Sequence, residues 1–166
     1  MIKLEELECV DYDINLEEYV NFRELVKKNM TNPEWLGDFS IEDLEHLLAN
    51  NSKIWMYYKD NEPVCSMMII PSTQKDMDKF ELGLNHMEVV DYGPMMVNPK
   101  YIGNRLQLQM LQKLDNYSKS KGYKYVVSTI HPDNTFSINN FLKDDFELSN
   151  QKEFKRGIRN IYTKKL

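Results

Sequence analysis

A strand that runs through a proline turn directly into a helix constrains this chain more than any other feature. The segment from Met87 to Leu114 begins with an apolar strand pattern that ends at Val97. Asn98-Pro99 follows as a turn, and helical periodicity starts just after Gly103. From there apolar residues recur at helical spacing, at Leu106, Met110, Leu114 and Tyr117. The segment therefore predicts a strand–turn–helix unit.

The start of such a helix is suited to binding an anion. The first backbone N–H groups of a helix have no partner within it, and the positive end of the helix dipole lies there. Gly103 has no Cβ, so an anion can approach its backbone closely. These features predict a main-chain site for a phosphate or pyrophosphate. For one glycine taken alone, an ordinary tight turn is the simpler interpretation.

The residues from Val97 to Met110 resemble motif A of the GNAT superfamily of acyl-CoA-dependent N-acetyltransferases. The family pattern is V-x-P-x-[YF]-[RQ]-G-x-G-[IL]-G-x-x-[LM]. Its positions are matched by Val97, Pro99, Tyr101, Gly103, Leu106 and Met110. Ile102 stands where Arg or Gln is usual, and Arg105 and Gln107 replace the second and third glycines. Arg105 places a Cβ where the family keeps the backbone bare, or it supplies a cation beside the phosphates.

A second segment resembles motif B of the same superfamily, N-x-x-[AS]-x-x-x-[YF]-x-x-x-G-F. Asn134, Ser137, Phe141 and Phe146 match it, and Asp145 replaces the glycine. The spacing between the two motifs also resembles that of the family. The resemblance spans roughly residues 53 to 166.

The remaining elements predict two helices ahead of a sheet. Asn15-Leu-Glu-Glu18 is a capping box that opens a helix to about Met30, and Ser40-Ile-Glu-Asp43 opens a second through Leu48. The inward face of the first would carry Leu16, Tyr19, Val20 and Leu25 or Val26. Between these helices, Trp35 and Phe39 either line an acceptor wall or anchor a loop to the core.

Strand patterns account for most of the rest. Ile2 to Val10 is either a first strand or an irregular lead-in. Residues 54–58 and 64–70 flank a hairpin signal, Lys59 to Glu62, and a polar connection follows from Pro71 to Asn85. Gly122 is placed to end the motif A helix. A strand at 123–130, a helix at 135–143 and strands at 146–154 and 159–164 complete the chain.

In order, these elements read β-α-α-β-β-β-α-β-α-β-β, an α/β fold with a mixed sheet and helices on both sides. This order resembles the GNAT fold, and the length predicts a single GNAT-like domain over residues 1–166. Gly93-Pro94 indicates a bulge that would splay the sheet at the cofactor strand.

The resemblance implies acetyl-CoA as cosubstrate and assigns residues to it. Backbone groups of Met95, Met96 and Val97 would pair with the pantetheine arm like an added strand. The pyrophosphate would lie on the N–H groups of Ile102, Gly103, Asn104, Arg105, Leu106 and Gln107. Motif B would add Asn134, Ser137 and Phe141. Asn134 is equally suited to capping the next helix, and the two roles are compatible.

Catalytic groups are less defined. Glu88 and Asp91 are the candidate general bases, although each alone is more often a solvated or ion-paired carboxylate. Many relatives place a tyrosine acid at the position of Phe141, which has no proton to give. Tyr92, Tyr162 or water would supply the proton instead, or the thiolate leaves unaided, or the site is inactive. His131 fits a packed imidazole at a turn better than a catalytic group.

Composition limits the partners. The net charge of −5 and the pI of about 5.3 argue against a nucleic-acid surface. No apolar run reaches the length of a membrane span. Cys9 and Cys65 have no metal-ligand spacing, so no metal site is expected, and both are predicted to be reduced and buried. The expected location is the bacterial cytoplasm, as a monomer or homodimer.

The resemblance to the GNAT superfamily implies an N-acetyltransferase that acts on a primary amine of a small molecule or peptide. The alternative is a weak or inactive GNAT-fold module that binds acyl-CoA, which the departures at Arg105 and Phe141 favour. A third hypothesis is an interaction protein that uses the region around Trp35.

Overall fold

The computed structural model describes residues 1–166, with five α-helices and eight strands. The predicted α/β class is therefore confirmed. By its internal contacts the chain divides into two compact units, residues 1–69 with 93–110 and residues 70–92 with 111–166. None of the helices has the length and apolar character that a membrane span requires.

The first unit contains the antiparallel strands β1 (Glu8–Val10), β2 (Lys53–Lys59) and β3 (Glu62–Pro71), paired in that order. Asp60 and Asn61 join β2 to β3 with φ values of 49° and 63°. Positive φ at both positions is what a two-residue type I′ hairpin requires, so the predicted hairpin is confirmed. The central residues of both strands are buried in succession, which explains their near-continuous apolar sequence.

Two capped helices belong to the same unit, α1 (Leu16–Lys28) and α2 (Ile41–Ala49). The Asn15 side chain accepts the backbone N–H of Glu18, and Ser40 and Asp43 form a complete capping box. Both predicted helix starts are thus confirmed. The buried side chains of α1 are Tyr19, Phe22, Arg23 and Val26, whereas Leu25 is 43% exposed.

The loop between α1 and α2 is held by cations of α1. Arg23 donates a hydrogen bond of 2.6 Å to the carbonyl of Phe39, and Lys27 pairs with Asp38 at 2.6 Å. Trp35 lies in a 3-10 turn, and both aromatic side chains of the loop are half-buried. These contacts favour the interpretation of the loop as anchored to the first unit.

The chain before β1 combines the two alternatives that the sequence left open. A 3-10 turn covers Leu4–Glu6, and the strand begins only at Glu8. Cys65 is buried as predicted, and burial raises its thiol pKa to about 12. Cys9 is exposed, so its predicted burial is wrong. The reason is that β1 pairs with β2 alone and forms an edge of the sheet.

The strand predicted from Met87 to Val97 is split in two. Strand β4 (Val89–Tyr92) lies in the second unit and pairs in parallel with β6 (Tyr125–Ile130). Strand β5 (Met96–Val97) lies in the first unit and pairs antiparallel with residues 65–66 of β3. The break falls at Gly93-Pro94, because proline has no N–H to continue a ladder. The predicted strand is therefore two separate strands, of which only β4 pairs with β6.

Helix α3 (Gln74–Phe80) lies where the sequence predicts a polar connection. Thr73 and Asp76 form a capping box at its start. Met77 and Phe80 are buried, in one cluster with Val89, Val127 and Ile161. Because only these two side chains of the helix enter the core, its apolar period is too short to be recognised in the sequence.

The second unit also contains α5 (Thr135–Lys143) and the hairpin of β7 (Glu147–Phe154) and β8 (Gly157–Lys165). Its strands follow the order β4-β6-β8-β7, parallel between the first two and antiparallel after them, which makes the sheet mixed. Helix α4 runs from Leu106 to Ser120, and Gly122, whose φ is 85°, lies just beyond its end. Tyr123 donates its N–H to the carbonyl of Ser118, so the predicted glycine cap is confirmed as a Schellman motif.

Candidate functional site

The turn between β5 and α4 is fixed to the β2–β3 hairpin. Asn98 is 2% exposed, and its side chain donates to the carbonyl of Pro63 at 2.8 Å while accepting the N–H of Lys100. Lys100 and Tyr101 both donate to the carboxylate of Glu62, at 2.6 and 3.1 Å. The proline turn thus has the place the sequence predicts. Asn98 is a structural residue that the motif comparison missed, although Asx residues commonly fix such turns.

Two residues of this turn have left-handed backbone conformations. Gly103 has φ of 95° and Arg105 has φ of 55°. Arg105 therefore adopts a backbone conformation that favours glycine. For a residue with a Cβ, the left-handed region costs about 1–2 kcal/mol. Such strain persists only where the surrounding structure holds it, and it is often found at functional positions.

The backbone of the turn offers hydrogen-bond donors. Four successive backbone N–H groups have no hydrogen-bond acceptor, those of Gly103, Asn104, Arg105 and Leu106. The hydrogen bond that opens α4 runs from the N–H of Gln109 to the carbonyl of Arg105. Ile102 is 65% exposed, and Gly103 and Arg105 are exposed as well. The turn therefore combines exposed donors with the positive end of the α4 dipole, which is a suitable site for a phosphate group.

Strand β5 supplies an edge next to this turn. It pairs with β3 on one side, and no strand pairs with its other side. The side chain of Met96 is 1% exposed, so only the main chain of the strand is available to a ligand there. Met95 and Val97 are half-buried. An unpaired strand edge can accept an extended chain through main-chain hydrogen bonds.

The motif B residues lie in the second unit, on α5. Asn134 caps this helix by accepting the N–H of Ser137 at 3.3 Å, so the predicted capping role is confirmed. Phe141 is 2% exposed and packs on Phe146, with ring centroids 4.7 Å apart. Asp145 has φ of 64°, again in the left-handed region that favours glycine.

A complete Schellman motif ends α5 at this point. Phe146 donates its N–H to the carbonyl of Phe141, and Asp145 donates to that of Leu142. Aspartate enters the left-handed region more readily than most residues, since its short polar side chain can form local hydrogen bonds. The departure from the motif B pattern is therefore compatible with the backbone that the pattern describes.

The two candidate bases occupy different environments in the second unit. Glu88 lies in a 3-10 turn ahead of β4 and pairs with Lys124 at 3.1 Å. Asp91 lies within β4, is half-buried, and forms no ion pair or hydrogen bond through its carboxylate. Burial, with the charge of Asp76 as a second cause, raises the pKa of Asp91 to about 8, against the opposing effect of Lys79. A carboxylate of this kind is poised to accept a proton.

The face on which Asp91 lies follows from strand alternation. Val89 packs into the cluster with Met77 and Phe80 of α3. Since residues two apart share a face, Asp91 lies on the α3 face of the second unit and Tyr92 on the opposite one. The interruption at Gly93 comes after both candidate bases, so it does not disturb this alternation.

The phenol of Tyr92 is committed to a buried polar network. It donates to Asp115 at 2.6 Å and lies 3.2 Å from the hydroxyl of Ser118. Lys164 pairs with Asp115 at 2.5 Å and with Asp144 at 3.2 Å. Burial, together with Asp115, raises the pKa of Asp144 to about 7. Burial and Asp115 also raise the pKa of Tyr92, so this phenol is a poor proton donor. No sequence pattern predicts this network, because its members lie far apart along the chain.

The other polar candidates have local roles. His131 accepts the N–H of Asp133 through Nδ1 at 3.1 Å, as expected for an imidazole that belongs to a turn. The phenol of Tyr162 is 3.3 Å from the side-chain amide of Asn160, which donates to it. No group of three or more His, Cys, Asp or Glu side chains is arranged to hold a metal ion.

The predicted cofactor residues thus fall into two sets. Met95–Val97 and Ile102–Gln107 lie together in the first unit. The motif B residues and both candidate bases lie in the second unit.

No family model matches this chain, and no curated protein sequence matches it. Its structure, however, resembles many solved structures. A probable acetyltransferase from Staphylococcus epidermidis aligns with a TM-score of 0.73 at 14% identity, covering 96% of this chain and 98% of the other. A GNAT family acetyltransferase from Elizabethkingia anophelis, solved with acetyl-CoA bound, gives 0.67 at 15% identity over 96% and 98%. A Bacillus subtilis acetyltransferase in complex with CoA gives 0.68 at 11% identity over 96% and 99%.

These alignments cover nearly the full length of both partners, so they describe the whole fold rather than a shared motif. Their identity is too low to transfer a substrate or a catalytic residue. The strand–turn–helix at residues 96–107 is part of this shared fold, as the resemblance to motif A implied. The chain has the fold of the GNAT acetyltransferases.

Proposed function

We propose that this protein is an N-acetyltransferase that transfers the acetyl group of acetyl-CoA to a primary amine of a small molecule or peptide. The observation that carries the proposal is the turn at residues 103–106, with its four unpaired N–H groups and two left-handed residues, in a GNAT fold. The Elizabethkingia anophelis neighbour has acetyl-CoA bound, and the Bacillus subtilis neighbour is a complex with CoA. A pyrophosphate is the anion that these donors would receive in this protein.

The first unit would bind the phosphate and pantetheine parts of the cosubstrate. Backbone donors of residues 102–107 would hold the pyrophosphate, and Arg105 would add a charge-assisted hydrogen bond. The free edge of β5, at Met95 to Val97, would pair with the amide groups of the pantetheine arm. Asn134, Ser137 and Phe141 are assigned to the cosubstrate by the resemblance to motif B alone.

The reaction is an acyl transfer. The amine nitrogen attacks the thioester carbonyl carbon, a C–N bond forms, and the C–S bond breaks to release CoA as a thiolate. The amine must be neutral when it attacks, and the nitrogen loses a proton as the amide forms. Holding both reactants in one site removes much of the entropic barrier.

Asp91 is the better candidate for the general base. Glu88 is ion-paired with Lys124, whereas the Asp91 carboxylate is unpaired and has its pKa raised to about 8. A base whose pKa lies near the working pH is partly ionised and still accepts a proton readily. We therefore assign the amine proton to Asp91.

No tyrosine is assigned as the general acid. Phe141 has no proton to donate, and the Tyr92 proton is held by Asp115. A thiolate is a stable enough leaving group to depart without such an acid, with water as the eventual proton source. We therefore expect slower transfer than in a relative that has a phenol at this position.

The same observation favours a second candidate function, a GNAT-fold module that binds acyl-CoA with little or no transfer. The two functions differ in one measurement, which is the release of free thiol from acetyl-CoA in the presence of a panel of primary amines. Thiol release that depends on an amine supports the transferase. CoA binding without release supports the binding module.

The cofactor assignment has its own test by calorimetry with CoA. Gly103→Val places a branched side chain at a φ of 95°, which should distort the turn and weaken CoA binding strongly. Gly83→Val is the matched control, because Gly83 has an ordinary φ and open space around its Cβ position. If Gly103→Val binds CoA as tightly as Gly83→Val does, the anion is not bound at this turn.

A further inference from the structure

We infer that the segment Ile2–Leu4 is a positioning element for the anion-binding turn, acting through the side chains of Asn104 and Gln109. The inference rests on the proposed function, since it concerns how the turn is held in shape for a pyrophosphate. In this proposal the Ile2–Leu4 segment and the side chains of Asn104 and Gln109 do not touch the ligand. They determine where the N–H groups of the turn point.

Gln109 links the N-terminal segment to the first turn of α4. Its Nε2 donates to the carbonyl of Ile2 at 3.0 Å, and its Oε1 accepts the N–H of Leu4 at 2.8 Å. The Gln109 carboxamide thus pairs with one carbonyl and one N–H of the Ile2–Leu4 segment, as a peptide group of a neighbouring strand would do. Nε2 also donates to the carbonyl of Asn104 at 2.9 Å, which brings the turn into the same cluster.

Asn104 completes the connection from inside the turn. Its Oδ1 accepts the N–H of Ile2 at 2.9 Å, and its Nδ2 donates to the carbonyl of Tyr101 at 2.9 Å. This residue stands between the left-handed Gly103 and Arg105. Its side chain therefore braces the strained part of the backbone against both the start of the turn and the N-terminal segment.

The segment itself is firmly seated. Leu4 is 5% exposed, and Leu7 donates its N–H to the Leu4 carbonyl to close a 3-10 turn. A strained backbone keeps its conformation only where neighbouring contacts over-determine it. The five hydrogen bonds made by Asn104 and Gln109 are contacts of that kind, and they fix the turn before a ligand arrives. A preorganised site binds more tightly because less ordering remains to be done on binding.

The test compares two glutamines of the same helix. Gln109→Met keeps the length of the side chain and removes its three hydrogen bonds, whereas Gln112→Met changes an exposed residue as a matched control. Affinities for CoA and for pantetheine, which lacks the pyrophosphate, are measured by calorimetry or NMR titration. We expect Gln109→Met to weaken CoA about tenfold, the equivalent of one net hydrogen bond, and to leave pantetheine unchanged. The KM for acetyl-CoA should rise by the same factor with kcat unchanged.

Two results would overturn the inference: unchanged CoA affinity in Gln109→Met, or an equal loss for CoA and pantetheine. If Gln109→Met does not fold, Ile2→Pro provides the test, since it removes the N–H that Asn104 accepts and keeps the carbonyl that accepts from Gln109, with Ile2→Ala as the control for the lost side chain. The same selective loss is expected there, and wild-type affinity would refute the inference. Failure of the proposed function is distinguishable: without the cosubstrate site the unaltered protein would not bind CoA, and without transfer alone it would bind CoA but release no thiol, which leaves the affinity comparison intact.

Discussion

Arg105→Gly separates the backbone cost of the anion-binding turn from the charge of its side chain. Arg105 has φ of 55°, which costs about 1–2 kcal/mol for a residue with a Cβ and almost nothing for glycine. Glycine also makes the unfolded chain more flexible, which destabilises the protein by about 0.4–1 kcal/mol. The difference between these two ranges is a net stabilisation of up to about 1.6 kcal/mol, with a midpoint of about 0.8 kcal/mol that corresponds to a rise in Tm of about 2–3 °C for a chain of this length.

Arg105→Ala is the matched variant, because it removes the same charge and keeps the strain. Arg105 is exposed, so this change should alter the free energy of unfolding by less than about 0.5 kcal/mol. Equilibrium unfolding in urea and calorimetric melting give both values. An Arg105→Gly protein that is less stable than Arg105→Ala would refute the assignment of strain to this position.

Binding data on the same variants isolate the charge. A charge-assisted hydrogen bond to phosphate contributes about 1.5–3 kcal/mol, so both variants should bind CoA about 10–150 times more weakly than the wild type. Pantetheine should bind all three proteins alike. If pantetheine loses as much affinity as CoA, Arg105 supports the helix and does not contact a phosphate.

The remaining predictions concern the second unit. Because a base must be ionised to act, kcat/KM should rise with pH through an apparent pKa of about 8. This rise in kcat/KM should be absent from the pH profile of Asp91→Asn and present in that of Glu88→Gln. Asp76→Asn should lower that apparent pKa and Lys79→Met should raise it, since the first removes a like charge and the second an opposite one; shifts in the reverse directions would contradict the assignment. Lys164→Met should cost about 3–5 kcal/mol in urea unfolding, because it leaves two buried carboxylates without their cation, and a loss below 1 kcal/mol would show that the network is solvated.

Local sequence signals were reliable where local energetics decide the structure. The caps at Asn15 and Ser40, the hairpin at Asp60-Asn61 and the glycine that ends α4 at Gly122 all lie where their residue types predict. Each depends on hydrogen bonds or φ values within a few residues. Gly93-Pro94 likewise marks the break in strand pairing, since the missing N–H of proline is a property of the sequence itself.

Features that depend on distant partners were missed. Helix α3 forms because Met77 and Phe80 find Val89, Val127 and Ile161, which lie elsewhere in the chain. The choice between Glu88 and Asp91 depended on Lys124, which pairs with Glu88, and on Asp76, which raises the pKa of Asp91. Neither partner is a close sequence neighbour of the carboxylate that it affects. The sequence leaves Tyr92 as a candidate for the general acid. The hydrogen bond from its phenol to Asp115, 23 residues away, argues against that role.

The sequence by itself determined the strand–turn–helix, because the proline, the glycine and the helical period act over neighbouring residues; the anion site at its turn is our proposal. Arg105 and Asp145 depart from the sequence patterns of their two motifs, and only the tertiary structure decided which backbone conformation they adopt. Both residues adopt the left-handed backbone that favours glycine. A side chain type predicts the cost of that conformation, but only contacts from the rest of the fold determine whether the backbone is held in it.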